Sequence, residues 1–236
     1  MVLSEINVYQ IDCKIYLLKN LELRSMLYEI SSFIDRSLCK DEMMLEFHKK
    51  REYKNYVHSG FKEIEKDKLY KQGKIYNFSI RCIDKKLKDY FSLFLKDTST
   101  DTMKGLVTIE KIIPRNYIEK LYTLTPALIK LNGGYWKGNI NFSTYEKRLI
   151  DNSIKKAKAI LGEDFSEDFL LYNYIKVLNN KPILSRFKNI SLLGDKIELN
   201  IADNERAQQI AYILLGTGIL ENNSRGYGFV NYSSGD

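Results

Sequence analysis

Two kinds of hydrophobic spacing alternate along the first half of the chain, and few folds accommodate their order. In residues 76–82 every second side chain is apolar, which is typical of a strand with one buried face. Residues 23–34 instead place apolar side chains at steps of three and four, which indicates a helix with Asn20 as its N-cap. The predicted elements in chain order are a strand at about 5–18, a helix after Asn20, strands at about 56–61 and 76–82, a helix at about 87–95 and a strand at about 104–113.

This β-α-β-β-α-β order is the ferredoxin-like pattern, and the second half of the chain repeats it more loosely. Its predicted elements are a strand near 121–131, a hairpin turn at 132–134, a helix opened by a capping box of Ser143 and Glu146, strands at about 169–178, 183–191 and 195–201, a helix from Asp203 that ends before Gly216, and a strand at Tyr227–Tyr232. We therefore expect an α+β protein of two tandem ferredoxin-like halves, an N-terminal domain of residues 1–114 and a C-terminal domain of residues 115–236.

The charge balance fits a polyanionic partner and a merely basic protein equally well. The chain carries 37 Lys and Arg residues against 30 Asp and Glu, a net charge of +7 in 236 residues. Nucleic acid is the commonest polyanion that such a protein meets, although a merely basic protein has the same balance. Its 17 tyrosines add surface on which RNA bases can stack, but tyrosine is also an ordinary strand residue.

The sequence gives no sign of a membrane segment, a metal site or a cofactor. No stretch approaches the about 18 apolar residues of a membrane span, and the N-terminus lacks the pattern of a signal peptide. The three cysteines, Cys13, Cys39 and Cys82, are far apart and have no metal-ligand spacing. We therefore expect a soluble cytoplasmic protein with reduced cysteines and without a metal or cofactor.

Residues 216–230, the glycine-rich segment, hold four of the 13 glycines and lead from a predicted helix into the last strand. Glycine permits a positive φ and a close backbone approach, and exposed N–H groups in such a loop can bind phosphate. Arg225 adds a guanidinium group suited to phosphate. A helix C-cap at Gly216 followed by an ordinary turn is the alternative. The segment is not a nucleotide-binding loop, because it follows a helix.

Only two histidines exist, and histidine is the natural general acid or base near neutral pH. His48 lies among cations and tyrosines in a polar stretch, where it can meet a phosphodiester. A solvated loop whose histidine has no function is the alternative. His58 lies in a predicted strand, and we expect it to be structural.

The end of the chain resembles a known family. A Gly-x-Gly, a polar linker and then Gly-aromatic-Gly-aromatic-Val are similar to the loop of the RAMP superfamily, and within it of the CRISPR-associated endoribonucleases that process repeat RNA. Those proteins consist of two ferredoxin-like halves with this loop before the last strand. The resemblance implies a catalytic histidine after the first helix, a lysine downstream and a tyrosine on that helix, which here are His48, Lys54 and Tyr28. The chain departs from the family in its longer link, where Asp41–Phe47 would form an extra turn.

The resemblance also implies an activity, a metal-independent cleavage of CRISPR precursor RNA within the repeat. Attack by the ribose 2′-OH would leave a 2′,3′-cyclic phosphate and a 5′-OH, and would generate mature guide RNAs. Tyr28 or His48 would be the base, His48 the acid, and Lys54 the cation that stabilises the phosphorane. The implied RNA contacts are Gly216, Gly218, Arg225, Gly226, Gly228, Lys181, Arg186 and Lys188.

Two of these expectations have structural alternatives. Lys181, Arg186 and Lys188 flank a predicted strand, and a solvated strand edge would carry the same residues. Trp136, the only tryptophan, can stack on a base or anchor a hairpin.

Two other functions fit the same sequence. A catalytically inactive RAMP-type subunit would only bind guide RNA inside a CRISPR interference complex. A basic ferredoxin-like domain that binds DNA or a protein is the third. Repeat RNA, as precursor and mature guide, is the expected partner, and the sequence leaves open other CRISPR-associated subunits and a homodimer.

Overall fold

The computed structural model describes residues 6–50, 53–132, 134–162 and 168–235. Within these ranges the chain forms two four-stranded antiparallel sheets that pack against helices, so the expected α+β class is confirmed. None of the helices in these ranges is long and apolar enough to cross a lipid bilayer.

The elements of the first half in chain order are β1 (Val8–Leu17), β2 (Leu21–Glu22), α1 (Met26–Leu38), α2 (Glu42–Lys49), β3 (Tyr56–His58), β4 (Leu69–Tyr70), β5 (Ile75–Cys82), α3 (Lys85–Phe94) and β6 (Met103–Ile113). They form one sheet with strand order β3-β5-β1-β6 and a small separate ladder of β2 and β4. All the strands and helices predicted for this half are present, and α2 and the small ladder are additional.

The alternation predicted for residues 76–82 sets the two faces of this sheet. Ile80 lies opposite Ile11 of β1, and both are buried in the core beneath α1 and α3. Arg81 lies opposite Gln10 on the other face. Both residues are buried, and the Arg81 guanidinium donates a hydrogen bond to the Val230 carbonyl oxygen of the second half at 2.7 Å.

The first helix begins later than its spacing predicts, and Asn20 is not its N-cap. The Asn20 side-chain oxygen instead accepts a hydrogen bond from the backbone N–H of Gln72 at 2.8 Å. The residues after Asn20 form β2, which pairs with β4, so the helix can start only after this ladder. Ser25 occupies the N-cap position of α1, and Leu23 stays 37% exposed.

The polar stretch after α1 forms a helix of two turns rather than a single extra turn. The Asp41 carboxylate caps α2 by accepting a hydrogen bond from the backbone N–H of Met44 at 3.0 Å. Met44 and Phe47 pack, partly buried, against the core of the first half. His48 lies in the last turn of this helix.

The elements of the second half are β7 (Lys120–Thr123), α4 (Phe142–Leu161), β8 (Tyr172–Val177), β9 (Ile183–Phe187), β10 (Ile190–Gly194), β11 (Ile197–Ile201), α5 (Glu205–Thr217) and β12 (Val230–Ser233). They form a sheet with strand order β12-β7-β11-β8 and a separate hairpin of β9 and β10. The predicted division between residues 114 and 115 falls in the link between the two sheets. The single strand predicted at 183–191 is the β9–β10 hairpin.

Several local predictions for this half are wrong. The strand expected at 121–131 ends at Thr123, and Pro126 follows, which has no N–H to donate to a ladder. Gly133 lies outside the described residues, and the chain passes from Gly134 into α4 rather than into a hairpin partner.

The N-terminus of α4 is not the predicted capping box. Asn141 is the N-cap, and its side-chain oxygen accepts a hydrogen bond from the backbone N–H of Thr144 at 2.8 Å. Ser143 lies inside the first turn and donates to that same Asn141 oxygen. Glu146 accepts a hydrogen bond from the Tyr172 hydroxyl at 3.2 Å instead of closing the box.

The last helix packs on strands of both halves. α5 continues through Gly216, whose Cα lies so close to the first half that an added Cβ would stand 2.9 Å from Cγ1 of Ile83 and 3.2 Å from Cγ2 of Val8. The Tyr212 hydroxyl accepts a hydrogen bond from the Val8 N–H at 3.1 Å and donates one to the Ile113 carbonyl oxygen at 2.8 Å. Gly216 and Tyr212 thus join α5 to one end of the first sheet, where Val8 pairs with Ile113.

Candidate active site

A cleft of about 1030 Å³ lies between α1, the link from α2 to β3, α4 and the glycine-rich segment. It brings together residues that the sequence analysis selected from four separate parts of the chain, namely Tyr28, His48, Lys54, Lys188 and Arg225. Further cations line the same cleft, namely Lys50, Lys130, Arg148 and Lys155. The result is a partly open, cation-rich cavity with one accessible histidine.

His48 reaches this cleft from the end of α2. Its Nδ1 atom lies 3.3 Å from Oδ1 of Asp35, and about a third of its side chain is exposed. Asp35 lies on α1 at seven residues from Tyr28, which places both side chains on one face of the helix. Burial raises the pKa of Asp35, and the nearby charges of His48, Arg225, Lys188 and Lys54 oppose that rise.

Lys54 is held at the C-terminal end of the same helix. Its ammonium donates a hydrogen bond to the Lys50 carbonyl oxygen at 2.6 Å and another to the carbonyl oxygen of Phe47. The Nζ atom also lies 4.7 Å from the centre of the Phe47 ring. Lys54 therefore ends α2 by satisfying carbonyl groups that the helix leaves unpaired, and it adds positive charge beside His48.

Tyr28 is supported by a contact with the second half. Its ring packs edge to face against Phe187 at 5.3 Å between ring centroids. The Arg225 guanidinium lies over the same Phe187 ring, 4.0 Å from its centre. Phe187 ends β9, so the hairpin supports both a predicted catalytic residue and a predicted RNA contact.

The glycines of the segment shape the loop and do not line the cleft with free N–H groups. Gly218, Gly226 and Gly228 have φ values of +75°, +84° and +67°, and all are buried. Their N–H groups already donate to the carbonyl oxygens of Leu214, Asn223 and Pro126 at 2.8 Å each. The expected phosphate cradle therefore does not fit. A contact between Gly216 and RNA does not fit either, because Gly216 is a buried residue of α5 that faces Ile83 and Val8 of the first half. These turns also delay β12 to Val230.

A lysine that the sequence analysis missed holds this segment in place. Lys156 of α4 is 1% exposed, and its ammonium donates hydrogen bonds to the carbonyl oxygens of Gly218 at 2.8 Å and Leu220 at 2.9 Å and to the Asn223 side chain at 2.6 Å. Burial lowers the pKa of Lys156 to about 7. The helical spacing from Leu149 gives the signal, since a residue seven positions later lies on the same buried face.

The other histidine is a core residue, as expected. His58 is fully buried, with Nε2 at 3.0 Å from the Ser31 hydroxyl and Nδ1 at 2.9 Å from the Ser59 carbonyl oxygen. Burial lowers the pKa of His58 to about 4.

Trp136 is also a core residue, so neither base stacking nor a hairpin anchor fits it. It is 8% exposed, and its indole N–H donates to the Asp195 carboxylate at 2.6 Å.

Lys181 and Arg186 are exposed and lie outside the cleft lining, with Arg186 3.6 Å from Glu22. RNA contacts by these two cations stay a prediction.

The sequence matches no protein-family model and no curated protein. Solved structures do match its fold. One, described as the CRISPR associated protein Cas6, has 18% identity and a TM-score of 0.70, over 96% of this chain and 100% of that one. Another, described as a RAMP protein binding different RNA substrates, has 17% identity and a TM-score of 0.72 over the same shares. A Cas6-related protein from Pyrococcus furiosus has 17% identity and a TM-score of 0.68, over 96% and 98%.

The likeness covers nearly the full length of each chain, so the whole two-sheet architecture is shared. The chain therefore shares the fold of these solved structures. At these identities the likeness concerns the fold, and the chemistry has to be argued from the side chains of the cleft.

Proposed function

We propose that this protein is a metal-independent endoribonuclease of two tandem ferredoxin-like halves, which binds CRISPR precursor RNA and cuts it within the repeat to generate guide RNAs. The observation that carries the proposal is the meeting of Tyr28, His48 and Lys54 at one cation-lined cleft. These three groups are a hydroxyl, an imidazole and an ammonium, and together they meet the needs of phosphodiester cleavage by an internal nucleophile.

The reaction needs a proton removed, a proton delivered and a charge stabilised. The ribose 2′ oxygen bonds to the adjacent phosphorus, and the bond from phosphorus to the 5′ oxygen breaks. Tyr28 or His48 accepts the 2′ proton, and His48 in its protonated form delivers a proton to the departing 5′ oxygen. Lys54 stabilises the added negative charge of the phosphorane. Each acid or base role contributes roughly 10²–10⁴-fold to the rate.

Lysine and arginine side chains around the cleft would hold the phosphates on either side of the cut. Lys188 and Arg225 lie on the hairpin and on the glycine-rich segment, opposite α1. Arg225 is exposed, and its planar guanidinium can donate two parallel hydrogen bonds to one phosphate.

A catalytically silent RAMP-type subunit that only binds guide RNA is the second candidate, and one observation favours it. The Lys54 ammonium hydrogen-bonds to two backbone carbonyls at the end of α2, which gives this lysine a structural role without any chemistry. In such a subunit the same cations would bind RNA, and His48 would have no catalytic role.

Incubation with end-labelled repeat RNA in EDTA tests the proposal. We expect cleavage at one site, a product that resists phosphatase until acid opens the cyclic phosphate, and a second product whose 5′ end accepts label from a kinase directly. Binding without cleavage would support the silent subunit, and no binding would exclude both candidates.

A single 2′-deoxy nucleotide before the scissile phosphate provides the matched substrate control. It removes the nucleophile and leaves nearly all phosphate contacts, so we expect binding without cleavage. A deoxy substrate that is cut at the usual site would contradict the 2′-OH mechanism.

A further inference from the structure

Among the residues that the structure describes, Asp35 is the carboxylate in contact with the proposed acid of the cleft. Its Oδ1 atom lies 3.3 Å from Nδ1 of His48, a distance at which the protonated imidazole forms an ion pair. The two residues belong to different helices, Asp35 to α1 and His48 to α2. The contact therefore ties the short exposed helix to the longer helix that packs on the first sheet.

The two nitrogens of an imidazole are not equivalent once one of them has a fixed partner. With Nδ1 directed at Asp35, Nε2 is the nitrogen that remains for a substrate atom. A carboxylate on Nδ1 favours the tautomer with the proton on that nitrogen and restricts rotation of the ring. His48 has few other restraints, because α2 has no fully buried residue.

We propose that Asp35 is a positioning residue, which fixes the ring orientation and tautomer of His48 so that Nε2 faces the RNA in the cleft. This inference rests on the proposed ribonuclease function. Asp35 does not touch the RNA in this scheme, because a carboxylate repels phosphate. Burial raises the pKa of Asp35, and the positive charges of Lys54, Lys188 and Arg225 oppose that rise.

A second carboxylate in the same cleft gives a matched control. Asp151 of α4 lines the cleft and pairs with Lys147 on its own helix at 2.9 Å. Asp35→Ala and Asp151→Ala each remove one negative charge from the cleft, but only Asp35→Ala removes the partner of His48.

The first measurement separates cleavage rate from RNA affinity. We expect Asp35→Ala to lower the single-turnover rate by about 10- to 100-fold, as misorientation of a reacting group does. Its RNA affinity should be unchanged or higher, because a repulsive charge is gone. Asp151→Ala should gain affinity in the same way and cleave at the wild-type rate.

The second measurement determines directly which nitrogen of the His48 imidazole holds the proton. The chain has only two histidines, so ¹⁵N spectra of the side chains contain one pair of ring signals for each. We expect wild-type His48 to hold its proton on Nδ1 and to lose this preference in Asp35→Ala. His58, enclosed in the core, is the internal reference and should keep its signals in both proteins.

The outcomes are distinct. A wild-type protein that cleaves, with Asp35→Ala equally fast, would overturn the role of Asp35 and leave the ribonuclease intact. A slow Asp35→Ala with unchanged His48 signals would also overturn it, because the ring would not depend on Asp35. A wild-type protein that never cleaves repeat RNA overturns the proposed function and, with it, this role.

Discussion

Gly226 lies against the imidazole ring of His58, so close that a Cβ atom added to the glycine would stand 2.8 Å from each ring nitrogen. The ring cannot move aside, because both nitrogens have partners and the side chain is fully buried. Gly226 also has a φ of +84°, which favours glycine. The glycine-rich segment is therefore fixed on the end of β3 by two separate requirements.

Gly226→Ala should destabilise the fold more than a change of backbone conformation alone explains. Gly73→Ala is the matched control, because Gly73 has a similar φ of +82° but its added Cβ would meet only the Tyr16 hydroxyl at 3.7 Å. The control should lower the free energy of unfolding by roughly 1–2 kcal/mol. Gly226→Ala should lower it by roughly 1–3 kcal/mol more, because the added methyl group overpacks the core. Urea unfolding measures both. Equal losses would mean that the ring of His58 makes room.

His48→Ala should slow RNA cleavage by roughly 10²-fold or more while RNA affinity changes little, because one imidazole adds little to a surface of cations. Single-turnover cleavage and filter binding measure the two quantities. His58→Ala is the comparison: it should lower the melting temperature by opening a cavity under Gly226, yet cut normally where it is folded. An inactive but folded His58→Ala beside an active His48→Ala would reverse the assignment.

Tyr28→Phe isolates the hydroxyl group, because the ring keeps its contact with Phe187. We expect cleavage to slow by roughly 10²-fold at unchanged affinity if the hydroxyl accepts the 2′ proton. Tyr53→Phe removes another tyrosine hydroxyl from the same cleft and should cut normally. A Tyr28→Phe protein with wild-type rate assigns the base to His48 alone.

The salt dependence of RNA binding reports how many phosphates the protein neutralises. Lys188→Ala should reduce the slope of log affinity against log salt by about 0.7, the value for one contact to a single strand. Lys85→Ala, at the start of α3 and outside the cleft, is the control and should leave the slope nearly unchanged. An equal reduction for this control would mean that the slope does not report contacts in the cleft.

Lys156 should make stability depend on pH in a defined window. Its pKa is about 7 in the folded protein against an ordinary 10.5, so between these values the unfolded chain binds a proton that the folded chain lacks. Stability from this site therefore rises with pH across that window. Urea unfolding at pH 7 and pH 9 measures this, and the free energy of unfolding should rise more between these pH values for the wild type than for Lys156→Met. A difference that does not change with pH would contradict this.

The sequence predicted the first half well because its strands and helices have one buried face each. The alternation of residues 76–82 and the spacing of 87–95 describe real surfaces of β5 and α3. The errors lie at the ends of elements. Asn20 does not cap α1, because its side chain binds the backbone of Gln72, which is distant in sequence. At α4 the cap is Asn141, two residues before the predicted Ser143.

The cleft was predicted in part. Tyr28, His48 and Lys54 came from the family resemblance, and the structure brings them to one cavity. Asp35 and Lys156 were missed because a single charged residue on a helix is usually solvated, and only the fold reveals what lies opposite. The glycines were found for a sound reason, a positive φ, but their N–H groups are used inside the protein.

Because of the placement of α5, the stability of each half depends on the other. Val8 and Ile113 of the first sheet belong to the core around α5, while Leu128 and Tyr227 from the second half complete the core of the first. Neither half closes its own interior, so loss of one exposes apolar surface on its neighbour. The chain should therefore unfold as a single cooperative unit, and a destabilising substitution in either half should lower the stability of the whole molecule.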